Sequence, residues 1–495
     1  MNNTRKIFNK PESQSFIRII LLFLSAVVAI TICSKSSPLY PFNDWDDSNC
    51  FFTVGKAMVN GKILYKDIFE QKGPLLYMLH MLPYKVSNTT FLGVYFAEII
   101  ACFVFLYYSG RIMSLFCGGK IFYMVFPFTA FTYTSLSFCC GDSAEEWCLP
   151  LLSYTLYIAL ESVKNKHLVK AKSILICGIS MGIVLWIKFT MLGFFIGFII
   201  AFIVLYIRQK QYRSIGICTI AMLTGVLIAS VPVILYFTIN KAFPYLFEVY
   251  FYDNIFLYST GNRLPVVLKQ VVNLLSGILS FELNNTFGFI FTILGIIRLF
   301  RKEEKDLRFV FCVIFGTTFF FTFVGGRAYA YYSLVMTVFA PVGMAGVYEF
   351  FVKKISSMRI KKVAPVIVCV ISVILTAVLC RNTYLIFIPK EDMPQFRFNR
   401  IISQTENATL LNYGFLDGGF YTVSGIVPNC RYFCGLNLKI EDIEITQREF
   451  AEQGMVDYIV TKDLQPVFDR YECVDKCDFI YWSEISTYYL YKRTE

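Results

Sequence analysis

Residues 43–74 read N-D-W-D-D-S-N-C-F-F-T-V-G-K-A-M-V-N-G-K-I-L-Y-K-D-I-F-E-Q-K-G-P, and they follow the first apolar segment of the chain. Asp44, Asp46 and Asp47 place three carboxylates within four residues beside a predicted membrane segment. Behind them, residues 51–58 interleave large apolar side chains with small and polar ones, which predicts a short amphipathic helix at the membrane surface. An acidic cluster that opens such a helix is a candidate active site.

The same stretch also has a purely structural interpretation. Asn60 and Gly61 are residue types that favour a helix C-terminus, so the predicted helix ends there. At the other end, Asp47 or Ser48 has a side chain of the kind that caps a helix N-terminus. The two interpretations are compatible, because a helix N-terminus also stabilises an ionised carboxylate.

The composition places the chain among membrane proteins. Of its 495 residues, 56% are hydrophobic, 18% aromatic and only 16% charged, whereas soluble domains carry roughly 25% charged residues. The net charge of +11 does not indicate nucleic-acid binding, because the Lys and Arg residues stand in short runs between apolar segments. Such runs are typical of a membrane topology signal, and nucleic acid is therefore rejected as a partner.

Cysteine and histidine give little support for a metal centre. The 16 cysteines are scattered, many of them within apolar segments, and no C-x-x-C pair occurs. Because the chain has only His80 and His167, a histidine-based zinc site is nearly excluded. Cys473 and Cys477 are candidates for a disulfide if that region is exported, although the sequence does not determine the pairing.

Eleven apolar segments approach the length of roughly 20 residues that a membrane-spanning helix needs. The first, residues 19–33, follows a basic N-terminus as a signal sequence does, but further apolar segments come after it, so we interpret it as an uncleaved span. The others lie near residues 92–115, 121–140, 147–163, 173–188, 190–207, 214–238, 285–300, 309–325, 332–352 and 363–380. The predicted fold class is mainly α, a polytopic transmembrane helical bundle that spans the lipid bilayer.

The charges between these segments alternate. Basic loops fall at residues 164–172, 208–213, 298–308 and 353–362. Intervening short connections, such as residues 139–147, hold no Lys or Arg, so the positive-inside rule predicts a multi-pass cell-membrane protein with a cytoplasmic N-terminus. Two long outer loops result, residues 35–91 and residues 240–284, and the many aromatic side chains of the second suit a helix at the headgroup level.

Residues 386–495 differ in composition from residues 1–385, the predicted transmembrane domain. Strand patterns lie at residues 409–413, 456–461, 479–482 and 487–491, with a helical pattern at residues 445–454. About a hundred residues of this kind are enough for a small α/β domain. The alternation of charges predicts that this C-terminal domain is extracytoplasmic, on the same side as the acidic stretch.

A second acidic group stands at the start of a later span. Residues 139–150, C-C-G-D-S-A-E-E-W-C-L-P, carry Asp142, Glu145 and Glu146 on the same predicted outer side as Asp47. A solvated helix N-terminus explains these carboxylates as well as a site does. Carboxylates of the two loops also have the chemistry to share a divalent cation, but such clusters have no diagnostic spacing, so metal dependence stays open.

Two cations interrupt outer connections that otherwise lack positive charge. Lys188 stands in W-I-K-F-T and Arg327 in G-G-R-A-Y-A-Y-Y, both at the outer ends of predicted spans. Snorkelling of a long basic side chain to the interface is one explanation. Binding of an anionic group is the other, because cations within membrane segments are functional hints. Lys72 of the first loop is a further candidate for the same role.

The first loop resembles that of the bacterial C-class (GT-C) membrane glycosyltransferases, relatives of protein O-mannosyltransferases and of the aminoarabinose transferase of lipid A. In that superfamily the Asp proposed as general base is followed by an aromatic residue and then by a Gly. Asp47, Phe51 and Gly61 are similarly placed. The resemblance therefore assigns the base to Asp47 rather than to Asp46.

Two further motifs are similar to those of the same superfamily. E-E-W-C-L-P resembles its second acidic motif and puts Glu145 and Glu146 in the site, and G-G-R-A-Y-A-Y-Y resembles a late-span motif. That motif often carries a His where this chain has Tyr331, which leaves the role of the position open. The resemblance implies an inverting sugar transfer from a polyprenyl-phosphate donor, at the outer leaflet, to a cell-surface glycan, lipid or protein.

Two other classes of function stay as alternatives. A lipid-linked oligosaccharide flippase or another transporter would carry charges in the middle of spans and repeat-related halves, whereas the charges here collect at one face and no repeat is evident. In a non-catalytic envelope assembly protein, the soluble domain alone would carry the function. We favour a membrane glycosyltransferase, which needs a carboxylate base and cations for the leaving phosphate.

Overall fold

The computed structural model describes residues 12–257, 266–354, 358–438, 440–481 and 484–494. The α-helices are α1 (Glu12–Cys33), α2 (Asp46–Val59), α3 (Pro74–Val86), α4 (Leu92–Cys117), α5 (Val125–Tyr133), α6 (Ala144–Lys164), α7 (Ala171–Ile187), α8 (Gly193–Arg208), α9 (Tyr212–Ile239), α10 (Phe243–Tyr245), α11 (Val266–Asn284), α12 (Thr286–Lys302), α13 (Lys305–Phe323), α14 (Ala340–Lys354), α15 (Met358–Leu379), α16 (Pro394–Ile402), α17 (Phe420–Ser424) and α18 (Glu441–Glu452). Tighter 3-10 turns occupy Gly119–Met124, Phe189–Leu192, Ala330–Phe339, Arg381–Phe387 and Lys390–Asp392, and a π-helix occupies Leu246–Leu257.

Among the described residues, 6 helices are long and apolar enough to cross a membrane, or up to 8 if each of two bent helix pairs is one span. The six are Phe16–Cys33, Leu92–Cys117, Phe189–Arg208, Tyr212–Ile239, Lys305–Phe323 and Ala330–Phe351. In the bent pairs, α11 meets α12 at 110° and α15 meets the turn Arg381–Phe387 at 65°. The chain is a multi-pass membrane protein, but the predicted count of eleven spans is not confirmed, because segments such as α5 and α7 form shorter helices.

Helix α2 is the helix predicted in the first loop, and it ends where Gly61 adopts a φ of +88°. Only glycine takes up that backbone conformation without strain, which explains the stop. The surroundings of α2 differ from the prediction of a helix at the membrane surface, because residues 48–58 are all buried. Helix α3 covers one side so closely that a Cβ at Gly55 would lie 2.7 Å from the Cβ of His80.

The second predicted outer loop, residues 240–284, contains the π-helix and α11, and its residues 258–265 lie outside the described part of the chain. The ring of Tyr250 in the π-helix is buried. Its hydroxyl donates to the carbonyl oxygen of Leu185 at 2.5 Å and accepts from the backbone N–H of Phe189 at 3.1 Å. The part of the aromatic segment that carries Tyr250 therefore packs against the end of α7.

The C-terminal residues form a four-stranded sheet in the order β1-β2-β4-β3. Its strands are β1 (Leu410–Asn412), β2 (Tyr458–Lys462), β3 (Tyr471–Tyr481) and β4 (Glu484–Arg493). Strands β1 and β2 are parallel, with Leu411 opposite Ile459, and the other two pairings are antiparallel. Strands β1, β2 and β4 and helix α18 overlap the predicted patterns, whereas β3 begins eight residues before the strand predicted at 479–482, whose residue 482 lies outside the described residues. The small C-terminal sheet is confirmed.

The proposed disulfide within this region does not fit the sheet. Cys473 and Cys477 lie on the same strand, β3, four residues apart. An extended strand rises about 3.3 Å per residue, which separates their Cα atoms by roughly 13 Å. A disulfide needs a Cα separation of about 4.4–6.8 Å. The bond between these two cysteines is therefore excluded.

Candidate active site

The carboxylates of Asp46 and Asp47 lie in the first turn of α2, where the helix N-terminus favours negative charge. The N-cap residue is Trp45, and no side chain caps the helix there. The interpretation of Asp47 or Ser48 as the cap is therefore wrong, because both lie inside the helix. The Ser48 hydroxyl donates instead to the carbonyl oxygen of Gly141 at 3.5 Å.

Asp44, the third carboxylate of the stretch, belongs to a buried ion pair. Its Oδ1 atom lies 2.5 Å from Nζ of Lys35, and the two side chains are only 3% and 5% exposed. The Lys35 ammonium also lies over the ring of Tyr384, 5.4 Å from its centroid. Removal of one partner would leave an uncompensated buried charge, which is strongly destabilising. The ion pair therefore closes the start of the first loop on itself, and Lys35 connects it to the turn after α15.

Asp47 remains accessible and pairs with the predicted cation of its own loop. Its Oδ2 atom lies 3.6 Å from Nζ of Lys72, and the Asp47 side chain is 17% exposed. The backbone of Lys72 is held firmly: its N–H donates to Glu70 at 3.0 Å, and its carbonyl oxygen accepts from the Tyr65 hydroxyl at 2.5 Å. Burial raises the pKa of Glu70, although the nearby Lys72 ammonium opposes the shift.

A backbone contact brings this loop to the end of α7. The N–H of Gly73 donates to the carbonyl oxygen of Ile187 at 3.2 Å. The approach requires glycine, because a Cβ at position 73 would lie 2.1 Å from the carbonyl oxygen of Trp186. Lys72 and Lys188 are the chain neighbours of the two bonded residues. The backbone of the first loop at Lys72 therefore lies beside the backbone of the chain at Lys188, although the two residues are far apart in the sequence.

The cation of Lys188 is directed into the protein. Its Nζ forms a short ion pair with Glu145, the side chain is 13% exposed, and the ammonium lies 3.7 Å from the centroid of the Tyr332 ring. The Tyr331 ring is 5.6 Å from the same ammonium and packs edge-on against Trp45 at 5.4 Å. Snorkelling to the interface therefore does not describe Lys188. Tyr331 stands between it and the N-terminus of α2.

Arg327 reaches the same group of residues through a tyrosine. One guanidinium nitrogen donates to the Tyr329 hydroxyl at 3.1 Å and another to the carbonyl oxygen of Asn437 at 3.4 Å. The ring of Tyr329 stacks on that of Tyr331 with a centroid distance of 5.6 Å and an interplanar angle of 2°. Arg327 thus joins the late 3-10 turn to the C-terminal region at the edge of the cluster.

Glu146 faces away from the residues that surround Glu145. Its carboxylate accepts from the backbone N–H of Asp142 at 2.8 Å, and Glu98 of α4 accepts from the same N–H at 2.9 Å. Ser34 in turn donates to both oxygens of Glu98 at 2.9 Å. The sequence reasoning missed Glu98, although a single carboxylate in the apolar segment 92–115 is the kind of residue that signals a functional or structural role in a membrane.

His80 was also missed as part of this buried network. Its Nδ1 lies 2.8 Å from the carbonyl oxygen of Leu76, and its Nε2 lies 2.9 Å from Oδ1 of Asp142. The Leu76 carbonyl oxygen and the Asp142 carboxylate both offer acceptors to the ring nitrogens, an arrangement that favours the protonated imidazole. Burial lowers the pKa of His80, but the charge and hydrogen bond of Asp142 outweigh it and hold that pKa above its ordinary value. The His80–Asp142 pair therefore locks α3 to the loop before α6.

The residues of this region do not fit a bound metal ion. Within the described ranges, no group of three or more His, Cys, Asp and Glu side chains is arranged to hold one. Asp142 is occupied by His80 and by the Trp147 indole N–H at 2.9 Å, and Glu145 by Lys188. A divalent cation shared by the two acidic loops is therefore not assigned a part in the proposed sugar transfer.

The helical bundle, the buried first-loop helix and the small C-terminal sheet together form a fold that is also found among solved structures. The chain is similar to the crystal structure of ArnT from Cupriavidus metallidurans bound to undecaprenyl phosphate, with a TM-score of 0.58 and 10% identity over 97% of this chain and 98% of that one. The apo structure of the same ArnT gives a TM-score of 0.59 at 10% identity, with the same shares covered. At this identity the likeness shows the fold.

A more distant likeness is to the oligosaccharyltransferase of Archaeoglobus fulgidus, solved in complex with Zn and sulfate. It has a TM-score of 0.42 and 12% identity, and it covers 89% of this chain and 68% of that one. No argument below depends on it. No protein-family model matches the sequence, and no curated protein sequence matches it either.

Proposed function

We propose that the chain is a glycosyltransferase that moves a sugar, with inversion, from a polyprenyl-phosphate donor to an acceptor hydroxyl at the outer face of the membrane. The observation that supports the proposal is a pair of cation–carboxylate contacts in an ArnT-like fold, Asp47 with Lys72 and Glu145 with Lys188, which the Gly73–Ile187 backbone bond and the contact of Trp45 with Tyr331 connect. These residues come from four separate stretches of the sequence. The group combines an accessible carboxylate with cations, as sugar transfer from a lipid phosphate requires.

Asp47 is the proposed general base. A base must reach the proton it accepts, and Asp47 is partly exposed and lies next to the cation of Lys72. Asp44 forms a buried ion pair with Lys35, and Glu145 forms an ion pair with Lys188, so both carboxylates already have a cation as partner. Asp46 shares the first turn of α2 with Asp47, so it is the natural control for the assignment.

Lys188 and Arg327 are the proposed ligands of the leaving phosphate, with Lys72 as a further contact. The phosphate would compete with Glu145 for the ammonium of Lys188, and the rings of Tyr331 and Tyr332 would shield that contact from water. Negative charge on the phosphate grows as the glycosidic bond breaks, so a cation placed there stabilises the transition state more than the ground state. The undecaprenyl phosphate bound to ArnT supports a donor of this lipid class.

The topology belongs to the same proposal. The N-terminus lies in the cytoplasm, and residues 35–91 and 386–495 lie on the extracytoplasmic side of the membrane. Residues 1–11 are not among the described residues. Residues 1–385 are the transmembrane domain, which crosses the membrane eleven times if the two bent pairs, the shorter helices and α6 also span it. The acceptor is a cell-surface glycan, lipid or protein. Alternation of the basic loops supports this arrangement.

The decisive experiment uses purified protein in detergent with a short-chain polyprenyl-phosphate sugar and an extract of cell-surface acceptors. An enzyme releases the polyprenyl phosphate and forms a glycosylated product without a sealed membrane. A flippase needs two compartments and gives no product, and neither does an assembly protein. Cells that lack the chain should accumulate the lipid-linked sugar, which names the donor for the assay. Absence of transfer with that accumulated donor would refute the proposal.

A further inference from the structure

One face of α2 forms hydrogen bonds with the C-terminal region at positions 49, 53 and 56. Asn49 accepts from the Thr422 hydroxyl at 2.9 Å, Thr53 donates to Asp417 at 2.6 Å, and Lys56 donates to the carbonyl oxygen of Tyr421 at 2.6 Å. Positions 49, 53 and 56 follow the helical spacing of four and three residues, so they share one face. This face is separate from the first turn that carries Asp47.

A pair of cysteines lies within the same contact. The Sγ atoms of Cys50 and Cys434 are 4.0 Å apart, although the residues are separated by 384 positions in the sequence. Both side chains are only 2% exposed, and the hydrogen bonds on either side fix the two segments relative to each other. A disulfide requires about 2.05 Å between sulfurs. The two sulfurs must therefore approach each other by about 2 Å for the bond to form.

We propose that Cys50 and Cys434 form a disulfide that fastens the C-terminal domain to α2. Two thiols lose two protons and two electrons, and one S–S bond forms. The electrons pass to a disulfide-bearing thiol oxidant of the extracytoplasmic space, which is itself reduced to a dithiol. The inference relies on the outer location given under the proposed function, and on no catalytic role.

The Cys50–Cys434 disulfide forms before the C-terminal domain docks fully against α2. In the docked state, the hydrogen bond to Cys434 together with burial raises the pKa of the Cys50 thiol well above its ordinary value, and burial raises the pKa of Cys434. A buried, protonated thiol is a poor nucleophile. Oxidation therefore takes place while the C-terminal domain approaches α2, and the finished bond is then shielded from reductants.

The bond would hold the base-bearing helix in place. Asp47 precedes Cys50 by three residues, which is nearly one helical turn. The disulfide would therefore anchor the first turn of α2 against the C-terminal domain, which is a positioning role rather than a catalytic one. Opening of the bond should therefore increase the mobility of the first turn of α2.

Peptide mapping tests the pair directly. The full chain is isolated without reductant from the membranes of a host with an oxidising exterior, free thiols are alkylated under denaturing conditions, and proteolytic peptides are identified by mass spectrometry. We expect a linked pair of peptides that contain Cys50 and Cys434 and that separate on reduction. Full alkylation of both residues before reduction, or a bond from Cys50 to Cys430, would overturn the proposal.

Thermal unfolding in detergent supplies the second measurement. Dithiothreitol added during unfolding should lower the midpoint of the wild-type protein by several degrees, and it should lower that of Cys473→Ser, the exposed control, by the same amount. It should leave Cys50→Ser and Cys434→Ser unchanged. An equal response of all four proteins would contradict the bond. Neither measurement uses the transferase assay, so this proposal and the proposed function fail separately.

Discussion

Replacement of Lys56 by methionine should stabilise the protein at neutral and acidic pH. The ammonium of Lys56 is fully buried at the contact between α2 and the C-terminal region, where it donates to the carbonyl oxygen of Tyr421 at 2.6 Å. Burial lowers the pKa of Lys56 to about 7, against the attraction of Asp417. Methionine is a flexible side chain that fills irregular space in a core and has no charge to desolvate.

The size of the gain follows from this pKa. A decrease from 10.5 to about 7 corresponds to about 5 kcal/mol, at about 1.4 kcal/mol per pH unit. Against this, the carbonyl oxygen of Tyr421 loses its lysine donor, which costs about 1–3 kcal/mol. Below about pH 7 the free energy of unfolding of Lys56→Met should therefore exceed that of the wild type by about 2–4 kcal/mol.

The advantage should fade as the pH rises. In the folded protein Lys56 releases its proton near the pKa of about 7, whereas in the unfolded chain it keeps the proton up to its ordinary pKa of 10.5. Between these values the unfolded state binds more protons, so the wild type gains stability with rising pH. By about pH 9 the gain is about 2.7 kcal/mol, and the two proteins should then unfold at nearly the same temperature.

The assay compares the midpoints of thermal unfolding in one detergent between about pH 6 and about pH 9. Only the difference between variant and wild type is used, because other groups titrate over the same range. Lys66→Met is the control, since Lys66 is an exposed lysine of the same loop, and it should match the wild type throughout. Destabilisation by Lys56→Met, or a difference independent of pH, would refute the reasoning.

Three further predictions concern the cations, the buried histidine and the topology. Arg327→Lys should lower the turnover rate by about tenfold, because a single ammonium replaces the planar guanidinium that is proposed to bind two phosphate oxygens. Unchanged steady-state kinetics with a short-chain polyprenyl-phosphate sugar would exclude this phosphate contact. His80→Gln should lower the free energy of unfolding by about 3–5 kcal/mol, because it breaks a buried ion pair, while His167→Gln, at the exposed second histidine, should match the wild type in a chemical denaturation series. A membrane-impermeant thiol reagent should label a cysteine placed at position 62 or 440 in intact cells, and labelling only after lysis would overturn the topology.

Local signals in the sequence determine a large part of the fold. Asn60 and Gly61 end α2 where the residue types predict, because a positive φ at Gly61 follows from the missing side chain. The strand patterns near residues 410, 458 and 488 likewise become β1, β2 and β4. These features depend on neighbours in the chain, and periodicity alone is enough to reveal them.

The surroundings of α2 could not be predicted in the same way. Its composition suits a helix at a membrane surface, yet the C-terminal region covers it through Thr53 and Lys56, whose partners are Asp417 and Tyr421. Those partners are separated from α2 by more than three hundred positions. No periodic pattern carries information about a contact of that kind, and a buried lysine on a helix resembles a solvated one in the sequence.

The candidate site, like the fold, was predictable from the sequence only in part. The residue types of Asp47 and Lys188 marked them out, because carboxylates and cations are unusual in their places. The sequence did not show that Gly73 brings the first loop against the end of α7, or that Glu145 and Glu146 face different neighbours. The resemblance of Asp47, Phe51 and Gly61 to a known motif pointed to Asp47, but it did not show that Asp44 forms a buried ion pair with Lys35.

The central claim is that Asp47 accepts the proton of the acceptor hydroxyl. The measurement that tests it most directly is the transfer rate of Asp47→Asn beside that of Asp46→Asn, for proteins shown to be inserted and equally stable. Asparagine keeps the size of the side chain and loses the proton acceptor, so Asp47→Asn should lower the rate by about 10²–10⁴-fold, whereas Asp46→Asn should retain most of it. Near-normal transfer by Asp47→Asn would contradict the account, and loss of transfer in Asp46→Asn alone would move the base to the neighbouring carboxylate.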